Sequence, residues 1–160
     1  MIEVCATPLL AEFIKVCILL PQDERDQLEA FTGRPYDIDG AAIGAFCAPG
    51  PKWAIRADGE PIIVGGFAQE RPGVWRDFLL TTPVAWEKHW FAVTRICRRI
   101  MTDMLHSGHA HRLECIAPIA RLPRVSRWYS VLGYHQEGVL HGYCASGADA
   151  AIFSRVRHGN

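Results

Sequence analysis

One stretch near the C-terminal end constrains the fold more than any other. Residues 126–138 contain the last turns of an amphipathic helix, a glycine at position 133 and the beginning of a strand. Glycine commonly follows a helix end because it adopts the left-handed backbone conformation without strain. The stretch therefore predicts a helix that passes directly into a strand, with the hydroxyl group of Tyr129 one turn before the helix end.

The periodicity of the remaining sequence predicts a single α/β domain over residues 1–160. The predicted strands are Met1–Cys5, Lys52–Ala57, Pro61–Gln69, Val74–Thr82, Arg112–Ala117, Tyr134–Tyr143 and Ala150–Val156. The predicted helices are Leu9–Leu19, Gln22–Phe31, Asp39–Phe46, a long helix between Pro83 and Ser107, and Arg121–Leu132. Three consecutive strands in the middle form an antiparallel meander, and the later strands alternate with helices. This order predicts a mixed sheet flanked by helices.

Charge and cysteine content limit the classes of partner. Lysine and arginine total 17, as do aspartate and glutamate, so no net field attracts nucleic acid or anionic lipid. The six cysteines are widely spaced without a Cys-x-x-Cys pair, which is typical of buried thiols in a reducing compartment such as the cytoplasm. The apolar stretch Leu9–Leu20 contains Glu12 and Lys15, so neither a signal peptide nor a membrane span is expected there.

A second pattern lies within the helix-to-strand stretch. Tyr129 is followed by two residues, then Leu132, Gly133 and Tyr134, and soon afterwards by Glu137-Gly138. With the order of elements, this pattern resembles the C-terminal half of the GNAT superfamily of N-acetyltransferases. The resemblance implies a mostly antiparallel sheet that splays near its middle, with acetyl-coenzyme A (acetyl-CoA) wedged in the splay. The implied reaction is direct transfer of the acetyl group to an amine.

Three other segments resemble GNAT-like proteins encoded by tailed phages and prophages. They are Leu20–Glu29, the turn Asp58–Pro61, and Trp75–Thr82. This group includes an internal virion protein of short-tailed phages, so the resemblance implies a location in the host cytoplasm or the virion. The amine acceptor, whether a small molecule or a protein, stays undefined. A protein that retained the fold without catalysis, and bound a phage or host protein instead, is the alternative hypothesis.

The resemblance also implies roles for individual residues. Tyr129 corresponds to the general acid that protonates the departing thiolate of coenzyme A (CoA). Alternatively, it is an aromatic residue that fills the core at a helix end. Thr81 and Thr82 correspond to the strand end whose backbone pairs with the pantetheine arm.

The family's pyrophosphate-binding loop contains glycines at the start of the long helix, where backbone N–H groups and the helix dipole favour anions. The corresponding window here is Lys88–Val93, so Lys88 is predicted to lie near the phosphates. Bulky Trp90 and Phe91 stand in this window and predict an obstructed loop.

Arginines recur every three residues along the predicted helix that carries Tyr129: Arg121, Arg124 and Arg127. They are expected to form a basic ridge. Either this ridge contacts the CoA phosphates, with Arg124 as the predicted contact, or it is a solvated helix face. A nucleic-acid backbone is a third possibility. The zero net charge argues against it.

A general base would deprotonate the acceptor amine. Three carboxylates on strands and one histidine are candidates, and the sequence does not distinguish among them: Glu70, Asp77, Glu114 and His135. Cys115 lies in an apolar strand without a basic neighbour and is expected to be structural. His106, His109 and His111 lack a suitably spaced carboxylate or thiolate, so no metal site is predicted.

Overall fold

A computed structural model of the protein describes residues 1–157, and residues 158–160 of the predicted domain lie outside it. The strands are β1 (Ile2–Cys5), β2 (Lys52–Ala57), β3 (Glu60–Arg71), β4 (Gly73–Thr81), β5 (Ala110–Pro118), β6 (His135–Leu140) and β7 (Ala150–Val156). The helices are α1 (Leu10–Ile18), α2 (Gln22–Thr32), α3 (Ile38–Cys47), α4 (Pro83–His106) and α5 (Leu122–Leu132).

The seven strands form one sheet in the order β1-β2-β3-β4-β5-β7-β6. Every neighbouring pair is antiparallel except β4 and β5, which are parallel. The predicted mixed, mostly antiparallel sheet is therefore confirmed. Among the described residues, no helix combines the length and the apolar character needed to cross a bilayer.

The sheet opens between its two parallel strands. β4 and β5 are paired only from Gly73 to Arg76 on one side and from Ala110 to Glu114 on the other. Beyond that point β4 stays paired with β3 as far as Thr81, and β5 stays paired with β7 as far as Pro118. Residues 77–81 and 115–118 thus diverge, which confirms the expected splay.

Side chains alternate across the sheet and divide the core into two clusters. Trp53, Ile55 and Ala57 of β2 pack in the cluster that contains the buried residues of α4 and α5. Ala54, between them, belongs to the opposite cluster with Phe13 of α1 and other buried side chains of α1 and α3. Such alternation is expected for a strand buried on both faces. The helices therefore cover the sheet from both sides and leave the splayed ends of β4 and β5 for a site.

The predicted helix stop at Gly133 is also confirmed. Gly133 has a φ of +91°, and its N–H group donates to the Ser130 carbonyl at 3.0 Å. The N–H group of Tyr134 donates to the Tyr129 carbonyl at 2.9 Å, which completes the helix end. The next strand ends at Leu140, earlier than predicted, because Gly142 enters a turn in which its N–H group donates to Asp149 Oδ1 at 2.8 Å.

Candidate active site

The splay between β4 and β5 contains a cavity of about 510 Å³. β4 and β5 supply two walls, α5 supplies a third through Trp128 and Tyr129, and α2 lines the cavity from the other side. Tyr143, from the segment between β6 and β7, also lines it. The cavity therefore forms where the strands diverge, as the resemblance implied.

The edge of β4 that faces this cavity carries backbone N–H and C=O groups that form no hydrogen bonds to a neighbouring strand. Thr82, directly after β4, donates its N–H group to Ile62 of β3 at 2.9 Å, whereas the N–H group of Thr81 faces away from β3. Successive residues of a strand direct their N–H groups to opposite edges. The N–H groups of Asp77 and Leu79 are therefore expected to point towards the cavity, where an extended ligand could pair with them.

Tyr129 lies on the last turns of α5, and its ring packs against Phe153 with a centroid distance of 4.9 Å. Burial raises the pKa of its hydroxyl group well above 10, with Cys115 and Asp77 as further causes. Within residues 1–157 the hydroxyl group forms no hydrogen bond. Tyr129 thus presents a protonated and unpaired hydroxyl group at the cavity.

Asp77 projects from β4 into the same cavity. Its Oδ1 atom is inaccessible to solvent and has no hydrogen-bond partner in residues 1–157, and the same is true of the nearby Tyr134 hydroxyl group. Burial raises the pKa of Asp77 to about 7, although the interaction with Tyr134 opposes the shift. A buried carboxylate oxygen without a hydrogen bond is costly to keep, and such groups are concentrated at functional sites. Asp77 is the one predicted base candidate that lines the cavity among the described residues.

Glu24 of α2 closes the far end of this cavity. Its Oε2 atom accepts the Thr81 N–H group at 3.1 Å, and its Oε1 atom accepts the Thr81 hydroxyl group. Burial raises the pKa of Glu24 to about 7, against the opposing effect of those two hydrogen bonds. The backbone position predicted to pair with pantetheine is therefore already occupied by a side chain of the protein.

A groove of about 1070 Å³ continues from the cavity between the N-terminal part of α4 and α5. Trp86 and Trp90 of α4 line one side, and Arg121 and Arg124 line the other. Asp23 of α2 also reaches the groove. Its Oδ2 atom lies 3.2 Å from Arg121 Nη2 and 3.2 Å from Arg124 Nη1. Arg124, the predicted phosphate contact, and Arg121 of the same ridge thus form ion pairs with α2.

The predicted pyrophosphate loop at Lys88–Val93 is wrong. Helix α4 begins at Pro83, with only Thr82 between it and the end of β4, so these residues lie within the helix. Proline has no N–H group, and the N–H group of Ala85 donates to the Thr82 carbonyl at 3.1 Å. The first turn therefore offers few free backbone donors to an anion. Lys88 is exposed on α4 and lines neither the cavity nor the groove.

The other candidates lie away from the cavity or already have partners. Thr82 directs both its N–H group and its hydroxyl group at Ile62 of β3. Glu114 is buried and lies 2.7 Å from Arg112, and Glu70 lies 3.2 Å from Arg76. Cys115 lines the cavity, but burial raises the pKa of its thiol well above 9, so it is a poor nucleophile. No cluster of three or more histidine, cysteine or acidic side chains that could hold a metal occurs in residues 1–157.

Sequence reasoning missed Glu24. Its first-turn position in α2 gave no indication of a role, since its partner Thr81 is 57 residues away. The contact depends on how α2 packs against the end of β4, which no local pattern encodes. The ion pairs of Asp23 with Arg121 and Arg124 have the same origin, because they too depend on how α2 packs.

Comparisons with known proteins relate this architecture to one group of enzymes. No family profile matches the sequence, and no curated protein matches it either. One similar structure is an acetyltransferase of the GNAT family from Streptococcus pneumoniae. The alignment covers 99% of this chain and 100% of that protein, at 13% identity and a TM-score of 0.68. Another is RimL, a ribosomal L7/L12 alpha-N-protein acetyltransferase in complex with CoA. The alignment covers 97% of this chain and 93% of RimL, at 11% identity and a TM-score of 0.71.

A third structure is an aminoglycoside acetyltransferase in complex with CoA and kanamycin. It covers 98% of this chain with 95% of its own, at 12% identity and a TM-score of 0.67. These identities are low, whereas the coverage is nearly complete in both directions. The chain therefore has the fold of the GNAT acetyltransferases over the whole of its described length.

Proposed function

We propose that the protein is an acyl-CoA dependent N-acetyltransferase. The observation that carries this proposal is the Asp77 Oδ1 atom, buried without a hydrogen bond in the β4–β5 cleft, in a cavity that the Tyr129 side chain also lines. Leaving a buried carboxylate oxygen without a partner lowers stability, so a ligand that uses Asp77 is the simplest physical reason for its presence. The fold supports the same reaction class, because its structural neighbours are acetyltransferases.

The cleft fits the acyl end of acetyl-CoA. Its width is set by the divergence of β4 from β5, and the edge of β4 offers the N–H groups of Asp77 and Leu79 to an extended amide chain. The ring of Tyr129 and the side chain of Cys115 form apolar surface nearby. When bound, acetyl-CoA supplies an activated acetyl carbonyl group and a thiolate leaving group.

The residues of the protein supply the proton transfers. With a pKa of about 7, Asp77 is ionised in a large part of the molecules at neutral pH and can accept a proton from an amine. Tyr129 remains protonated because its pKa is raised, so its hydroxyl group is available as a proton donor to the departing sulfur. Both side chains line one cavity, so one bound acceptor can reach both.

The phosphate end of acetyl-CoA must be bound by groups other than the backbone of a glycine-rich loop. We infer that Arg124, and more weakly Lys88, attract the phosphates electrostatically, with Arg121 deeper in the same groove. Arg124 is 70% exposed and shares Asp23 with Arg121, so its guanidinium group can exchange one anionic partner for another. Arg124→Glu should weaken acetyl-CoA binding more than Lys88→Glu, since only Arg124 lines the groove.

Thermal unfolding with acetyl-CoA tests the proposal. A ligand at one hundred times its dissociation constant stabilises by about 2.7 kcal/mol, so the melting temperature should rise with acetyl-CoA concentration. Release of the free CoA thiol in the presence of amines should then follow, with kcat/KM increasing with pH through about 7 as Asp77 ionises. Absence of any shift or binding heat at millimolar acetyl-CoA would refute the proposal.

One observation favours a second candidate, a non-catalytic interaction protein. Two groups expected to receive acetyl-CoA already have partners within the chain, since Thr81 binds Glu24 and Arg124 pairs with Asp23. A protein that had lost the ligand would show this closure, would bind no acetyl-CoA, and would instead bind a phage or host protein. The phage or prophage origin and the location in host cytoplasm or virion stay predictions from the resemblance.

A further inference from the structure

The acceptor side of the cavity is closed by a contact between α2 and the segment that joins β6 to β7. The N–H group of Ala145 donates to the Ala30 carbonyl at 2.8 Å. The rings of Phe31 and Tyr143 pack edge to face beside it, with centroids 6.1 Å apart and planes at 85°. This contact joins α2 to the β6–β7 segment at the rim of the cavity, so the space beneath it suits a small molecule.

The residues beneath this contact are mostly apolar. Leu28 and Phe31 of α2, Phe78 of β4 and Tyr143 line the cavity there, and Gln27 is the polar neighbour from α2. Tyr143 is 45% exposed, so the aromatic pair lies at the rim. A polyhydroxylated ligand would lose its water here without gaining partners, whereas an apolar or aromatic body would be stabilised by contact with these rings.

The charges around the cavity favour a cation. The two arginines that line it each have an anionic partner, since Arg76 lies 3.2 Å from Glu70 and Arg121 lies 3.2 Å from Asp23, although the Nε atoms of both are buried without a hydrogen bond in the described residues. Asp77 has no cationic partner among the described residues, and its Oδ1 atom is buried without a hydrogen bond. A protonated amine would supply the missing partner in a charge-assisted hydrogen bond.

We propose that the acceptor is a small primary amine with an apolar or aromatic body, bound with its nitrogen at Asp77 and its body against Leu28, Phe31 and Tyr143. This inference rests on the proposed function. In the transfer, the amine nitrogen forms a bond to the acetyl carbon and the bond from that carbon to sulfur breaks. Asp77 first takes one proton from the bound ammonium group, so that the neutral nitrogen can attack. Sulfur receives the proton of Tyr129, and the second proton that nitrogen loses restores the Tyr129 hydroxyl group.

Binding without acetyl-CoA tests the inference directly. Phenethylamine at pH 8, where Asp77 is ionised, should bind at least about tenfold more tightly than phenethyl alcohol, which has the same body without the charge. Asp77→Asn should abolish that preference, and Tyr143→Ala should weaken both ligands. Phe91→Ala is the matched control, since Phe91 is 85% exposed and lines neither the cavity nor the groove. Equal affinity for amine and alcohol would overturn the inference.

Turnover measurements distinguish failure of this inference from failure of the proposed acetyltransferase function. Release of the CoA thiol is compared for phenethylamine, an alanyl tripeptide and kanamycin at equal concentration. Faster turnover of phenethylamine supports the inference, and faster turnover of the peptide or of kanamycin overturns it while the acetyltransferase proposal stands. If phenethylamine binds through Asp77 but acetyl-CoA does not bind, the amine site stands and the acetyltransferase proposal fails.

Discussion

Replacing Asp77 by asparagine is expected to stabilise the protein more at pH 8 than at pH 5. Burial raises the pKa of Asp77 from its ordinary value of 3.8 to about 7. The folded chain therefore keeps a proton that the unfolded chain releases in this window, and the free energy of unfolding of the wild-type protein falls as the pH rises through it. Asparagine does not titrate, so the variant lacks this loss.

The magnitude follows from the two pKa values. Their difference corresponds to about 4 kcal/mol over the full window, of which about 2.5 kcal/mol falls between pH 5 and pH 8. Glu24 titrates in the same range, but it is present in both proteins and cancels in the comparison. Any change in packing caused by the amide group is independent of pH and cancels in the same way.

Urea unfolding at pH 5 and pH 8 measures the effect. The wild-type protein, Asp77→Asn and the control Asp39→Asn are compared, Asp39 being an exposed residue in the first turn of α3. About 2.5 kcal/mol corresponds to roughly 1 M in the urea midpoint. If the difference between Asp77→Asn and the wild-type protein changes by less than about 0.5 kcal/mol between the two pH values, the carboxylate is not desolvated as described, and its assignment as a base with a raised pKa fails.

Three other variants probe separate parts of the site. Tyr129→Phe should reduce kcat by about 10²- to 10⁴-fold with little change in melting temperature, because the hydroxyl group has no hydrogen bond to lose; equal turnover would remove its catalytic role. Asp23→Asn frees Arg121 and Arg124 and should tighten acetyl-CoA binding severalfold in calorimetry, most clearly at low salt, whereas unchanged affinity would show that these ion pairs do not compete with the ligand. Gly133→Ala forces a Cβ atom into a left-handed conformation and should destabilise by about 1–2 kcal/mol in urea unfolding, and a smaller loss would mean that the helix end rearranges.

Local patterns were sufficient to predict most of the fold. β2 and β7 have the predicted bounds, because each is an apolar run flanked by turn residues. The hairpin between β2 and β3 turns at Asp58 and Gly59, both with positive φ, as expected of an aspartate-glycine pair. Gly133 marks the end of α5 for a similar reason. In each case the determining interaction lies within a few residues.

The site was harder to predict because its determinants are distant in sequence. Apolar periodicity defined the length of α4 but not its first residue, and the proline at position 83, which suits the first turn of a helix, was the stronger indicator. The predicted window at Lys88–Val93 therefore begins five residues after the first residue of α4. No local pattern indicates that Glu24 of α2 contacts Thr81. Nor does any local pattern indicate that Asp77 is the strand carboxylate without a partner among the described residues.

The two ends of the cleft differ in one physical respect that bears on the choice between enzyme and interaction protein. Glu24 already binds Thr81, and Asp23 at the phosphate end pairs with Arg121 and Arg124, although Arg121 Nε stays buried without a hydrogen bond in the described residues. At the acyl end the Asp77 carboxylate lacks a partner although burial disfavours its charge. Without a ligand to preserve, replacing this aspartate with an apolar residue would stabilise the fold. Its presence in the cavity beside Tyr129 therefore favours an acyl-transfer site that still binds its substrates, with access to the phosphate end limited by α2.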